Sequence, residues 1–352
     1  MKRRNLLTAA AAAPAALAAP AIAQGVMEWK FPTSFPAKAP GVGTNATSFA
    51  ERVNVMADGR LQLKLFSSGE LVPPFAVQDA VQQGTAEIGH TTPYYAAGKN
   101  PALHFFTAAP FGLSANEQTA WLRYGGGQAL WEEIYAERDL VPIYCGNSSV
   151  QAAGWFRKEI NSLVDLQGLN MRIAGLGGEA MRKLGVNAVL LPPTEIFPAF
   201  QSGAIDAAEW VGPMLDQAFG LNRVTNICYA PAFHEPSASL EIVVNQEAWN
   251  SLTPDLQAIL KNAAGACATE SLSQFEFFNA QAFAQLKETG VEFRAFPPDV
   301  IAALKAAVAE VMEEQAAESL DFARVKESYD AFLALAIPYA DAFTAPSLTQ
   351  RG

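Results

Sequence analysis

An arginine, two glutamates and a glutamine stand out as residues whose types permit chemistry together. Arg172 ends a run in which Leu169 and Met171 alternate with polar residues, the pattern of a half-buried strand. An arginine fork matches the two oxygens of a carboxylate, and α/β domains place ligands at strand ends beside glycines. A salt bridge to an acidic residue of the protein explains Arg172 equally well, because a buried charge needs a partner.

Glu209 and Glu235 stand in sequences too apolar for unpaired carboxylates. Glu209 follows Ala207 and Ala208, and Glu235 lies in a segment rich in aromatic residues and proline. Singly, each is more often a solvated or salt-bridged acid. Together with the amide oxygen of Gln151, they are the ligand types that a hard cation such as Na⁺ or Ca²⁺ prefers. These residues therefore indicate a site for a small organic acid and a cation.

The elements that position these residues alternate along the chain. Four runs have strand character, at 29–35, 61–66, 87–91 and 141–145. Three segments have helical patterns, at 115–137, 254–285 and 298–334. This alternation predicts an α/β architecture.

An internal repeat suggests two lobes of similar fold. Residues 71–87 align without gaps to residues 190–206, with identical leucine, proline, alanine, glutamine and glycine positions. Each copy predicts a turn, a short helix that ends at glycine, and a strand. The second copy leads directly to Glu209, so each lobe would present a strand end to a shared cleft. Chance similarity in a chain rich in proline and alanine is the alternative explanation.

Two short motifs carry a resemblance to a known family. Residues 168–172 read GLNMR, and residues 209–213 read EWVGP. In this order and spacing the chain resembles the solute-binding proteins of tripartite ATP-independent periplasmic (TRAP) transporters, over nearly its whole length after residue 23. The branch that binds 2-oxo and 2-hydroxy monocarboxylates, such as pyruvate and lactate, is the most similar.

The resemblance assigns roles to the candidate residues. Arg172 would hold the ligand carboxylate, as the corresponding arginine of the family does. A bridging cation, sodium or calcium, would be held by the side chains of Gln151, Glu209 and Glu235 and the backbone carbonyl of Trp210. Many sialic-acid and C4-dicarboxylate binders lack part of this set, so its presence favours a short monocarboxylate.

Further ligand contacts also follow from the resemblance. Asn147 would make a polar contact with the ligand, although turn chemistry alone explains an asparagine that follows Gly146. One of the adjacent tyrosines at the end of the first repeat would donate its hydroxyl, and we expect Tyr94 rather than Tyr95. Trp210 would also form part of the pocket.

The resemblance implies a two-lobed clamp of the periplasmic-binding-protein type. Lobe one would comprise residues 24–149 with 237–275, and lobe two residues 150–236 with 276–352. A long helix within 254–285 would join the lobes, and a C-terminal helical segment would follow. Some members of the branch exchange a C-terminal helix, which predicts a possible homodimer. Membrane permease subunits would be the transport partners.

Composition and the first residues set further bounds. Lys2, Arg3 and Arg4 followed by an alanine-rich stretch predict an export signal at 1–23, with cleavage after Ala23 and export to the periplasm by the Tat or Sec route. The net charge of −11 disfavours nucleic acid as a partner. Three cysteines without a C-x-x-C pair exclude a disulfide-stapled scaffold, and the three histidines have no zinc spacing.

Two other functions use the same residues. A periplasmic enzyme acting on small organic acids would use Glu209 and Glu235 as an acid/base pair, with Arg172 orienting the substrate. The sequence shows no nucleophile elbow or dinucleotide-binding glycine motif, which disfavours this alternative. A sensory binding protein that presents its closed form to a receptor would have the same sequence features as a transport protein.

Overall fold

The computed structural model describes residues 25–351. The predicted export signal and its cleavage after Ala23 lie outside the described residues, so they stay a prediction.

The described residues form three sheets. The strands are β1 (Met27–Pro32), β2 (Leu61–Phe66), β3 (Ile88–Thr91), β4 (Leu140–Asn147), β5 (Gly154–Phe156), β6 (Asn170–Arg172), β7 (Asn187–Val189), β8 (Ala207–Ala208), β9 (Ile227–Tyr229), β10 (Ser239–Asn245) and β11 (Glu292–Arg294). β1 and β2 form a parallel pair, and β10 lies between β3 and β4 in an antiparallel sheet. The largest sheet has the order β11-β9-β5-β8-β6-β7 and is antiparallel only at β5.

Helices cover these sheets and continue to the end of the described chain. They are α1 (Val42–Met56), α2 (Val77–Gln82), α3 (Leu103–Thr107), α4 (Ala115–Tyr124), α5 (Gly127–Ala136), α6 (Gly175–Lys183), α7 (Pro193–Ser202), α8 (Pro213–Phe219), α9 (Gln246–Ser251), α10 (Pro254–Glu288), α11 (Pro298–Glu318), α12 (Leu320–Tyr339) and α13 (Ala345–Thr349). A π-helical turn, Ala340–Thr344, links the last two. The predicted α/β architecture is confirmed.

The chain crosses three times between the smaller sheets and the six-stranded sheet. The crossings are residues 148–153 after β4, residues 230–238 before β10, and the long helix α10. α10 packs on β4 of one sheet and on α8, which follows β8 of the other. The limits of each predicted lobe stay a prediction.

The sequence of α10 favours a single long helix. Pro254 occupies its first turn, where a missing N–H costs nothing, and Asp255 and Lys287 complement the positive and negative ends of the helix dipole. Its 35 residues give a length of about 52 Å. The helix therefore reaches from one sheet to the other.

Two predicted helices are interrupted in the structure. The segment 115–137 contains α4 and α5, because Gly125 ends one helix and Gly126, with φ of 87°, begins the next. The segment 298–334 contains α11 and part of α12. Ser319 lies between the two helices and caps the start of α12, because its side chain accepts a hydrogen bond from the N–H of Phe322. In both cases a capping residue outweighs the continuous helical pattern of the sequence.

The two repeat copies adopt the predicted succession of elements. In the first, α2 is followed by Gly84, with φ of 71°, and by β3. In the second, α7 ends at Gly203, with φ of 80°, and β8 follows. β3 belongs to a smaller sheet and β8 to the six-stranded sheet. Each copy therefore delivers a strand end toward the region between the sheets.

The first half of α12 packs into its own chain, whereas the end of α12 and the π-helical turn after it are largely exposed. Phe322, Val325 and Tyr329 are buried, but Leu335 and Phe343 are exposed. The run Leu320–Thr349 is long and apolar enough to cross a membrane by length and composition alone. Only the part after Ala336 projects, and its 13 residues to Thr349 span about 20 Å, less than the ~30 Å of a hydrocarbon core.

We predict that Tyr329→Phe destabilises the protein. The buried Tyr329 hydroxyl accepts a hydrogen bond of 2.7 Å from the N–H of Leu113, and its loss leaves that donor without a partner. The expected loss in the free energy of unfolding is about 1–3 kcal/mol, measured by urea denaturation. Tyr124→Phe is the matched control because Tyr124 is exposed, and it should change stability by less than about 0.5 kcal/mol. Equal midpoints for both variants would contradict the assignment.

Candidate functional site

The predicted site residues come together where the crossings meet the strand ends of the six-stranded sheet. Arg172 is the last residue of β6, and Glu209 directly follows β8. The two strands are parallel, with Arg172 paired to Ala208, and the N–H of Glu209 donates to the carbonyl of Arg172 over 2.9 Å. The first crossing supplies Gln151 and the second supplies Glu235, joined by a hydrogen bond from the Gln151 N–H to the Glu235 carbonyl.

Arg172 forms a buried ion pair with Glu209. Its Nη1 donates to Glu209 Oε2 and to the Glu209 carbonyl, each over 2.6 Å, and both side chains are 1% exposed. The ring of Trp210 lies 5.2 Å from the guanidinium carbon. Burial lowers the pKa of Arg172, but Glu209 and the nearby tyrosines outweigh burial and raise that pKa above its usual value. The arginine is therefore charged.

The salt bridge uses only one side of the guanidinium. Nε and Nη2 of Arg172 have no hydrogen-bond partner among residues 25–351, although both atoms are buried. These two nitrogens form one edge of the fork, with two parallel N–H groups that match the two oxygens of a carboxylate. The salt bridge to a protein carboxylate, which the sequence left as an alternative, therefore occupies only Nη1 of Arg172. The Nε–Nη2 edge remains available as a bidentate donor.

A group of buried oxygens also has no partner within the described part of the chain. They are Gln151 Oε1, Glu209 Oε1, and Glu235 Oε1 and Oε2. Burial raises the pKa of Glu235 well above its usual range, and Glu209 raises it further, while Arg172, Tyr94 and Gln151 act in the opposite direction. Buried carboxylates without donors are costly, so these oxygens suit a bound cation.

The atoms available to a cation are all oxygens, and only two of the side chains that supply them carry a charge. The described residues show no group of three or more histidine, cysteine, aspartate or glutamate side chains placed around one metal. The predicted cage needs only two carboxylates, Glu209 and Glu235, together with an amide and a backbone oxygen. Such a set fits sodium or calcium and disfavours transition metals, which prefer nitrogen and sulfur.

Asn147 forms the predicted turn and keeps one buried donor for which the described residues offer no partner. Its Oδ1 accepts a 2.9 Å hydrogen bond from the N–H of Ser149, which has a left-handed φ of 60°. Its Nδ2 is buried and has no partner among the described residues. The asparagine therefore forms a turn and still presents a donor.

Tyr94 and Tyr95 both reach the site from the other side of the cleft. Their rings stack 5.2 Å apart, and both line a small cavity with Gln151 and Trp210. Burial raises the pKa of Tyr94 well above its usual value, and Glu235 raises it further, so its hydroxyl stays a donor. Tyr94 also contacts Gly175 at the start of α6, where an added Cβ would lie 3.1 Å from its ring.

His234 belongs to the site but was not predicted from the sequence. It is buried, and its Nε2 lies 3.5 Å from Glu209 Oε1. Its position directly before Glu235 was the one available signal.

A comparison with known families decides the class of the protein. Residues 34–319 match the family described as bacterial extracellular solute-binding protein, family 7 (DctP). The chain belongs to this family. It is 42% identical over 342 residues to the monocarboxylate 2-oxoacid-binding periplasmic protein of Nostoc sp., with 94% of each chain covered.

Solved structures of TRAP solute-binding proteins share the fold. A protein of Bordetella bronchiseptica, described as a mixed-occupancy dimer with calcium and picolinate, has 36% identity and a TM-score of 0.89, covering 93% of this chain and 100% of that one. A protein of Colwellia psychrerythraea with calcium and pyruvate has 36% identity and a TM-score of 0.89, covering 92% and 99%. A protein of Pseudoalteromonas atlantica with sodium and pyruvate has 34% identity and the same score and coverage.

These matches confirm two predictions. The chain is a TRAP solute-binding protein of the DctP family. Its fold is the two-lobed clamp with a long helix and a C-terminal helical segment.

We predict that Arg172→Met is strongly destabilising because it leaves Glu209 buried without its partner. The expected loss is about 3–5 kcal/mol in the free energy of unfolding, measured by urea denaturation without added acids or metals. Combining it with Glu209→Gln should recover part of this loss, since the unpaired charge is then removed. Arg52→Met is the control, because the Arg52–Glu270 pair is partly exposed and contributes less than about 1 kcal/mol. A wild-type midpoint for Arg172→Met would contradict the buried pair.

Proposed function

We propose that this protein captures a small 2-oxo or 2-hydroxy monocarboxylate, such as pyruvate or lactate, together with a sodium or calcium ion, and delivers it to TRAP permease subunits. One observation carries the proposal: within residues 25–351, the Nε–Nη2 edge of Arg172 and four oxygens of the same buried site have no hydrogen-bond partner. Relatives bind calcium or sodium with pyruvate, and one relative is named for 2-oxoacids.

Arg172 binds the ligand carboxylate in this proposal. The Nη1 bonds to Glu209 fix the guanidinium plane, so its free edge is already oriented before the ligand arrives. Little side-chain entropy is then lost on binding, which favours affinity. The Trp210 ring beside the guanidinium forms one wall of the pocket.

Charge explains why a cation belongs to the site. Arg172 carries one positive charge, whereas Glu209 and Glu235 each carry a negative charge when ionised, and an acid ligand adds another. A cation when bound supplies the opposite charge that lets these anions lie close together. Gln151, Glu209, Glu235 and the Trp210 carbonyl are the residues that would hold it.

Asn147 and Tyr94 complete the polar contacts. The free Nδ2 of Asn147 donates a hydrogen bond to a ligand oxygen, and the Tyr94 hydroxyl donates another. Tyr94 comes from the side of the smaller sheets, whereas Arg172 comes from the six-stranded sheet. The ligand therefore bridges the two sides, and binding favours the closed form of the clamp.

The protein acts in the periplasm as a binding subunit and leaves its ligand chemically unchanged. The predicted export signal at 1–23, whether read by the Tat or the Sec machinery, is consistent with a family of extracellular proteins. Glu209 is already committed to Arg172, which disfavours its use as an acid/base catalyst.

We predict that acid binding depends on the cation. Calorimetry with pyruvate and lactate on chelator-treated protein in sodium-free buffer should show weak binding that calcium or sodium restores. Glu235→Gln should weaken the restored affinity, because it removes one negative ligand of the cation. Glu241→Gln is the control, since Glu241 is an equally buried carboxyl in β10, bonded by Tyr135 and outside the site. Full affinity without any cation would refute the proposed cage, and loss of the acid by NMR would refute a binding function.

We also propose that the projecting C-terminal segment joins two copies of this chain. Leu335, Ile337, Tyr339, Phe343 and Leu348 are exposed apolar side chains on this short helical run. Burial of such a surface is favourable, and a symmetric pair buries it twice. The relative from Bordetella bronchiseptica is described as a dimer.

We predict a dimer mass by light scattering at micromolar concentration. Leu335→Glu combined with Phe343→Glu should give the monomer mass, because charges replace the contact surface. Phe277→Glu should leave the mass unchanged, since Phe277 is equally exposed but lies on α10. A monomeric wild-type protein, or one that binds lipid vesicles through this segment, would overturn the proposal.

A further inference from the structure

His234 lies against Glu209 but has no role in the proposed function. Its ring is buried, and neither Nδ1 nor Nε2 has a hydrogen-bond partner among residues 25–351. Glu209 Oε1, 3.5 Å from Nε2, lacks a hydrogen-bond partner in the same described part of the chain. Two buried polar atoms that face each other without other partners are costly unless they act together.

The surroundings hold the His234 ring in place. A Cβ added at Gly177 in α6 would lie 2.3 Å from the His234 Cβ, so only glycine permits this close approach. The Phe233 ring lies 5.2 Å from the imidazole, and the Phe233 carbonyl accepts a 2.7 Å hydrogen bond from the N–H of Phe111. The imidazole is therefore positioned by packing and not by its own hydrogen bonds.

The two oxygens of Glu209 have different environments. Oε2 is fixed by Arg172 Nη1 at 2.6 Å, whereas Oε1 has no hydrogen-bond partner among the described residues and is the oxygen available to a cation. A carboxylate held through one oxygen retains freedom to rotate. A second donor at Oε1 would fix its plane, and a shift of about 0.5 Å brings His234 Nε2 to ordinary hydrogen-bond distance.

We propose that His234 is a positioning residue, whose Nε2–H holds Glu209 Oε1 in the orientation that the cation requires. The inference rests on the proposed function, because it assigns the cation to Glu209. A neutral imidazole with its proton on Nε2 is sufficient. Hydrogen bonds to metal-binding carboxylates typically change metal affinity by about 10–100-fold when they are removed.

Three substitutions at His234 separate the hydrogen bond from the shape of the ring. His234→Phe keeps an aromatic ring but removes the donor, so calcium affinity measured by calorimetry with calcium chloride alone should fall about 10–100-fold. His234→Gln places an amide N–H near the position of Nε2 and should restore affinity to within a few-fold of wild type. His234→Asn places its amide near Nδ1 and should not restore it. A purely structural role predicts no such difference between the two amides.

A second pair of variants tests the same contact without changing His234. Gly177→Ala forces the imidazole to move and should weaken calcium binding as His234→Phe does. Gly178→Ala is the control from the same turn of α6, since its Cβ would meet only Ile173 at 3.3 Å or more. It should leave calcium affinity unchanged.

The outcomes distinguish this inference from the proposed function. Wild-type protein that binds neither calcium nor sodium would refute the cation cage and, with it, the role of His234. If the wild-type protein binds the cation and the folded His234→Phe variant has the same calcium affinity, the role of His234 is overturned and the cation cage stands. If His234→Phe does not fold, equal affinities of His234→Gln and His234→Asn would overturn it.

Discussion

The buried ion pair between Arg172 and Glu209 is the interaction on which the site depends. It joins the ends of two parallel strands, fixes the guanidinium plane and leaves one donor edge free. Because the pair is nearly removed from water, each charge acts with a strength that a surface pair lacks. Glu235 adds a second buried carboxyl whose oxygens have no hydrogen-bond partner among residues 25–351, so two buried carboxyls share the single positive charge of Arg172. In the proposed function, acid and cation complete it jointly.

The sequence predicted the burial of the two charged side chains better than their contact with each other. Alternation before Arg172 and the apolar residues before Glu209 showed that both side chains would be buried, and the structure places both in the interior. That they pair with each other was not predictable, since 37 residues separate them and β6 had first to align with β8. His234 was missed for a related reason: its contact with Glu209 depends on the course of the second crossing, which no local pattern encodes.

In the fold as well, features encoded by local sequence patterns were predictable, whereas features that depend on single capping residues or tertiary contacts were not. Strand and helix types followed from periodicity, but the ends of helices depended on single capping residues. The break at Gly126 and the N-cap at Ser319 each divide a continuous helical pattern. The long helix α10 was predicted well because proline at its start and alanine-rich turns favour one uninterrupted helix. The limits of the lobes depend on tertiary contacts, so no periodicity defines them.

The threefold crossing of the chain also constrains how the protein reaches its fold. β10 is the middle strand between β3 and β4, yet it follows every strand of the six-stranded sheet except β11. The antiparallel sheet is therefore complete only at Asn245 and the six-stranded sheet only at Arg294, and each contains pairings between residues far apart in sequence. Such non-local pairing slows folding and exposes strand edges in the meantime. During synthesis, the edges of β3 and β4 therefore stay unpaired until residues 239–245 emerge, and the edge of β9 beside β11 stays unpaired until residues 292–294 emerge.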